Sequence, residues 1–221
     1  MRLIFVRHAE SEANVSGSLD CSVPGPGLSP FGFQQAAALP SLLAEDLDGM
    51  PLRAIWASTM LRAQQTAEPV SDRYGVPLQV HPLLHEGHVG DLNGRVDDEA
   101  YQALYELFAC WHVEGDMERC RPGGETGTQL VDRLRAAVND VIAAGDPTGD
   151  DLAAGGDEAG AAVVVSHGAI LRVGLPWLCE NVTKPYTMTH HLPNTARVVV
   201  DVLDRDQPKL VCRTWDGTPP D

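Results

Sequence analysis

Two histidines in this chain end apolar runs, and an arginine stands beside the first. Leu3 to Val6 leads straight into Arg7-His8, and Ala161 to Val165 leads into Ser166-His167. Short runs of β-branched and aromatic residues with no polar interruption are the pattern of strands buried on both faces. Each histidine therefore falls at the carboxyl end of an interior strand, the edge along which open α/β sheets build their binding crevices. There an imidazole can serve as nucleophile or general base. The Arg7 guanidinium offers a fork of donors matched to a tetrahedral oxyanion. A second arginine, Arg62, falls in the first turn of a helix that follows the strand-like run Arg53 to Ala57 and the capping-type residues Ser58 and Thr59. A cation there opposes the helix dipole, and an anion held at the same helix end would reverse the sign. The bland alternative pairs Arg7 and Arg62 with nearby carboxylates such as Glu68 and leaves His8 a satisfied strand-end residue.

Other polar groups carry weaker signals. His81, His85 and His88 lie within eight residues and invite a metal. No cysteine is near, and the surrounding glycines and proline argue for a loop over a fixed ligand face, so no metal site is assigned. Glu86 in the same loop reads, by itself, as solvated. Arg119 and Arg121 fall in the stretch Val113 to Arg121 between two helices, where a loop on a rigid scaffold supplies substrate contacts.

The elements that must position these groups alternate. Strands are expected at 3–6, 53–57, 76–80 and 161–165, with closing strands at 196–203 and 209–214, the last an antiparallel edge. Helices are expected from Ser29-Pro30 to about Leu47, from Ser58 onward, over 97–112 and 124–144, and from His167 to near Cys179. This order gives an α/β fold in which a parallel sheet sets the two histidines across one crevice. The length suits a single domain, 1–221, and the Asp/Gly/Ala-rich stretch 145–160 reads as an acidic surface loop without chemistry.

Acidic residues outnumber basic ones 31 to 16, for a net charge of −15, which argues against nucleic acid and anionic membrane surfaces as partners. The same field repels anionic substrates at long range, so a phosphate site needs local cations. Five dispersed cysteines without a Cys-x-x-Cys pair read as reduced thiols. The first strand begins at once, leaving no room for a signal peptide, and no apolar run approaches the roughly 20 residues that span a bilayer. A cytoplasmic location follows as an expectation.

Arg7-His8-Ala9-Glu10-Ser11-Glu12-Ala13-Asn14 resembles the Arg-His-Gly-Glu/Gln-Thr/Ser-x-x-Asn signature of the histidine phosphatase superfamily, the phosphoglycerate-mutase-like enzymes, with Ala9 for glycine. Further matches follow in order. They are Leu28-Ser29 with Gly32, Gln35 and Ala36; Ser58 with Arg62-Ala63 and Thr66-Ala67; Leu84 and Glu86 with Gly90 and Gly94; Pro122-Gly-Gly-Glu-Thr126; Ser166-His167-Gly168 with Arg172; and Asn194-Thr195. The resemblance implies a three-layer fold, a mostly parallel sheet with helices on both faces and a helical insertion near 97–144. It implies a metal-independent phosphatase with no cofactor and a small phosphorylated metabolite as substrate. His8 would become a phosphohistidine, with Arg7, Arg62, His167 and Asn14 holding the phosphoryl oxygens. Glu86 would protonate the leaving group. A cofactor-dependent phosphoglycerate mutase is the runner-up, since it shares the intermediate. In the mutases, however, the glutamate is followed by Arg-His-Tyr-Gly, and here by Gly87-His88-Val89-Gly90. A catalytically weak phosphate-binding regulatory protein is the third reading. A homodimer is left open.

Overall fold

The computed structural model describes residues 1–144, 160–204 and 208–220, so most of the acidic stretch 145–160 lies outside the described residues. Its centre is strand β1 (Arg2–Arg7), whose alternating side chains serve two cores. Leu3 and Phe5 point into one hydrophobic cluster, Ile4 and Val6 into the other, and all four are fully buried. Burying each such side chain contributes about 1.5–3 kcal/mol.

Around β1 the sheet is mixed. The chain order adds α1 (Glu12–Ser16), α2 (Pro30–Leu47), β2 (Leu52–Ser58), α3 (Leu61–Tyr74) and β3 (Leu78–His81). It continues through α4 (Asp98–Ala109), α5 (Gly127–Ala144), β4 (Ala161–Ser166), α6 (Gly168–Leu178), α7 (Tyr186–Thr189), β5 (Arg197–Asp204) and β6 (Lys209–Trp215). The strands run β3-β2-β4-β1-β5-β6. The first four are parallel, and β5 and β6 close the far side antiparallel. Only β5 runs against the other strands, because β6, antiparallel to β5, again runs with β1; the sequence suggested an antiparallel edge at the last strand alone. Helices α2 and α3 cover the face of Ile4, Val6 and Val163; α4, α5 and α6 cover the face of Leu3, Phe5 and Val164. The three-layer architecture with a mostly parallel sheet is as expected.

Register decides the site. Arg7 pairs with Ser166 across β1 and β4, so the next residue of each strand, His8 and His167, emerges at the same level of the sheet edge. A slip of one residue would turn either histidine to the opposite face.

Several boundaries differ from the sequence reading, among them that of α5, which begins at Gly127 where the sequence suggested 124. β3 begins at Leu78. The helix expected over 97–112 is α-helical to Ala109 and continues as a π-helical turn, Cys110–Glu114. Helix α3 starts after Met60, which makes no side-chain cap. Ser58 Oγ instead accepts from Met60 N at 3.1 Å, just ahead of the helix, and faces His167.

Helix α2 begins as its sequence predicts: Ser29 Oγ accepts from Gly32 N at 2.9 Å, with Pro30 as the first helical residue. This helix end is fixed to the loop after His8, since Ser29 N donates to Glu10 O at 2.9 Å and Ser29 Oγ donates to Glu10 Oε1 at 2.7 Å. Contact is so close that a Cβ at Gly32 would lie 1.9 Å from the Glu10 carbonyl oxygen. Gly32→Ala is therefore expected to cost at least about 1–3 kcal/mol by overpacking and to shift the His8 loop. Thermal denaturation checks this: a melting temperature equal to wild type would show that the loop yields freely.

Candidate active site

His8 is only 3% exposed. Its Nδ1 lies 2.7 Å from the Ala9 carbonyl oxygen, which can only accept. The proton must therefore sit on Nδ1, and Nε2 keeps its lone pair. Arg62 Nε donates to that Nε2 at 3.2 Å. His167 is fully buried, with ring centroids 5.1 Å from His8. Its Nε2 faces Ser58 Oγ at 2.6 Å, while Nδ1 is buried with no partner. Arg7 donates from Nη1 to Leu192 O at 2.6 Å and leaves Nε buried and unpaired. Gly168 packs against this guanidinium, where a Cβ would sit 3.3 Å from Nε.

Arg62 is held on all sides. Nη2 donates to Asp20 O at 3.0 Å and Nη1 reaches Asp20 Oδ1 at 3.5 Å. Thr66 ties α3 to the histidine loop, donating to Arg62 O at 2.7 Å and accepting from Ala9 N at 2.9 Å. Ser11 caps α1, and Asn14 in its first turn answers it: Oδ1 accepts from Ser11 N and from Asn194 Nδ2, each at 3.1 Å. The Nδ2 end is left as the donor for an anion. Asn194 also donates to His8 O at 2.9 Å.

Both histidines are neutral. Burial, followed by the charges of Arg62 and Arg7, holds the His8 pKa well below the ordinary value, and burial followed by His8 and Arg62 does the same for His167. The folded-state values are depressed, so the stabilisation they carry is present above about pH 6.5 and is lost as pH falls below it, where the unfolded chain binds protons that the fold refuses. Denaturant midpoints should accordingly drop on acidification from pH 6.5, and kcat/KM should show no acid limb near 6.5. A limb at that pH assignable to His8 would mean the imidazole charges freely.

Glu86 is anchored at the start of α6. Oε1 accepts from Gly87 N at 2.8 Å and Ile170 N at 3.0 Å, and Oε2 accepts from Ala169 N at 3.0 Å. Amides at a helix N-terminus have no intrahelical partner, and here those of Ala169 and Ile170 hold one oxygen each of the carboxyl group, with Gly87 N on Oε1 as well. Arg7, His8, Arg62, Asn14 and Glu86 all line one open cavity of about 220 Å³. His167 is not among the lining residues, its ring lying 5.1 Å from that of His8. The wall opposite is Tyr101, Leu104 and Phe108 of α4, with Arg172 from α6.

Arg119 and Arg121 are not brought to this cavity. Arg121 forms a two-pronged pair with Asp91 at 3.0 and 2.9 Å, and Arg119 is exposed with its carbonyl accepting from Trp111 Nε1 at 2.8 Å. The sequence reading gave them substrate contacts; the loop folds onto the 90–94 turn instead, and neither arginine lines the cavity. The clustered histidines separate: His81 Nε2 faces Asp140 at 3.2 Å and His85 Nδ1 faces the Glu86 carbonyl at 2.8 Å. Among the described residues no group of three or more His, Cys, Asp or Glu is placed to hold a metal. Asp20, Ser58 and Arg172 join the site without having been singled out for it. Arg172 had a signal, since it falls one helical turn beyond His167-Gly168.

The family model for the histidine phosphatase superfamily (branch 1) matches residues 3–216. The chain belongs to that superfamily. A PE-PGRS family protein of Mycobacterium tuberculosis is 30% identical over 97% of this chain, which spans only 36% of that protein's length. A glucosyl-3-phosphoglycerate phosphatase of Mycolicibacterium vanbaalenii is 31% identical over 77% of this chain and 70% of its own. Among solved superfamily members, the native mycobacterial glucosyl-3-phosphoglycerate phosphatase superposes with a TM-score of 0.75 at 22% identity, covering 98% of this chain and 99% of that one. The alpha-ribazole phosphatase of Shigella flexneri gives 0.68 at 22% identity, covering 100% and 98%. These superpositions show the shared fold.

Proposed function

We propose that this chain hydrolyses small phosphomonoesters through a phosphohistidine on Nε2 of His8. The observation that carries this reading is the polar lining around His8: a neutral imidazole with its lone pair on Nε2, beside buried Arg7 Nε and His167 Nδ1, which no protein group pairs. Leaving buried donors unpaired costs about 1–3 kcal/mol each, which a bound phosphoryl group would recover.

Nε2 attacks phosphorus in line with the ester oxygen, forming the N–P bond as the P–O bond breaks. Arg7, Arg62, His167 and Asn14 take the equatorial oxygens, and their fixed charges and dipoles stabilise the transition state. Glu86 gives its proton to the departing alkoxide. Water then attacks the phosphohistidine, Glu86 takes a proton from it, and the N–P bond breaks to release phosphate and restore His8. The guanidinium and imidazole groups supply the positive charge that a metal supplies elsewhere.

The relatives' names support the reading: besides those above, a metal-independent phosphoserine phosphatase of Arabidopsis thaliana is 27% identical over 77% of this chain. A 2,3-bisphosphoglycerate-dependent mutase of Thermoplasma acidophilum is 24% identical over 90%. Against mutase chemistry, Arg119 and Arg121 stand away from the cavity, which is open for water to reach the intermediate. No described helix is long and apolar enough to cross a membrane, and all five cysteines are free thiols, which supports a reducing cytoplasmic setting. One chain holds every residue named for the chemistry, so the reading needs no second subunit.

The test is phosphate release from a panel of small phosphomonoesters, before and after dialysis against a chelator. Release at an unchanged rate is expected. No release, dependence on a restored divalent ion, or conversion of 3-phosphoglycerate to 2-phosphoglycerate without phosphate would overturn the proposal.

A further inference from the structure

We infer that Arg172 is a second anion site in the same cavity, one that receives a carboxylate carried by the leaving group a few bonds from the ester oxygen. The inference rests on the phosphatase reading above and specifies its substrate class.

Charge pairing singles Arg172 out. Among the described residues, the arginines at least partly withdrawn from solvent are Arg2, Arg7, Arg62, Arg95, Arg121, Arg133, Arg172 and Arg197. Six of them have a carboxylate within salt-bridge distance, and Arg7 and Arg172 do not. Both unpaired arginines line the cavity. A cation drawn out of water without a counter-charge is costly, so an arrangement that keeps two facing one cavity implies a ligand that brings the negative charge. The phosphoryl group accounts for Arg7, which stands beside His8. Arg172 is left over.

Its orientation specifies the ligand. Nε and Nη2 both donate to the Thr187 carbonyl, at 3.3 and 2.8 Å. That contact uses one side of the guanidinium and leaves the Nη1–Nη2 end, a two-donor fork spaced for the two oxygens of a carboxylate. Cζ of Arg172 also lies over the Phe108 ring, 5.6 Å from its centroid. The fork is thus fixed before a ligand arrives, so little freedom is lost on binding.

Place within the cavity gives the distance from the reacting centre. Glu86 marks where the leaving oxygen sits, because it must reach that oxygen to protonate it. Arg172 lines the same cavity as Glu86 and Arg7 and lies within one turn of the amides that hold Glu86. A carboxylate near the ester oxygen falls between them, with Leu104 and Phe108 against the short carbon chain.

The matched pair 3-phosphoglycerate and glycerol 3-phosphate differ only in a carboxylate against a hydroxymethyl group. Wild type should favour the carboxylate in kcat/KM by about tenfold or more, the scale of a charge-assisted hydrogen bond. In Arg172→Gln that preference should fall to near one, chiefly through KM, and Arg172→Lys should keep part of it. Glycerate should also inhibit wild-type turnover of an aryl phosphate at concentrations where glycerol does not, a readout that needs no variant. A wild-type preference near one, or a folded Arg172→Gln that keeps the wild-type ratio, would overturn the inference and leave the phosphatase reading standing. Failure of wild type to release phosphate from either ester or the aryl phosphate would overturn both.

Discussion

His8→Asn should abolish phosphomonoester hydrolysis, by on the order of 10⁴-fold or more, the scale of losing a covalent nucleophile. Asparagine can still present a carbonyl or amide near the phosphate, so binding through Arg7, Arg62 and His167 is retained and KM should move far less than kcat. The intermediate supplies the sharper readout. Wild-type enzyme quenched during turnover of a radiolabelled ester should hold phosphate that survives alkali and is released by acid, as a phosphoramidate bond requires. The label should map to the peptide containing residue 8. Label of the same stability in His8→Asn would remove His8 from the role, and His167, whose ring lies 5.1 Å away, would inherit it.

Glu86→Gln should divide substrates by their leaving groups. An alkoxide departs only with a proton, whereas an aryl oxide departs with little help, so the loss should be about 10²–10³-fold on a sugar or glycerol phosphate and under about tenfold on an aryl phosphate. The substitution carries its own structural cost. Glu86 accepts three backbone N–H groups across its two oxygens, and one end of a glutamine would set N–H against N–H at Ala169 or Ile170. A melting temperature measured beside the kinetics separates that cost, which falls equally on both substrates. Equal losses on both would point to another acid. Asp91, its sequence neighbour, is not that acid, for it is paired with Arg121 away from the cavity.

The two kinds of residue at this site differed in how far the sequence revealed them. His8, His167 and Arg7 were legible because strand periodicity is local and a strand's end fixes where the next side chain goes. Arg62 was legible because a cation in a first helical turn contradicts local electrostatics. Glu86 came only through resemblance, since a loop position carries no periodic signal. Ser58 read as a helix cap, and its bond to His167 depends on β2 and β4 being neighbours, a pairing between residues 109 positions apart. Arg119 and Arg121 were misplaced because the path of an irregular segment is set by tertiary contacts such as Asp91. Arg172 was visible as a residue type but not as an unpaired one, since pairing is a property of the whole fold.

The cavity's two walls have separate origins. The strand-end wall is locked into the sheet register, where any shift disrupts the core on both faces. The opposite wall, Tyr101, Leu104 and Phe108, comes from α4, which runs on into the π-helical turn Cys110–Glu114. A π turn accommodates an added residue within a helix without breaking it. Divergence among descendants of such a scaffold can therefore accumulate in 98–114, altering which esters are accepted while the phosphoryl chemistry is inherited intact.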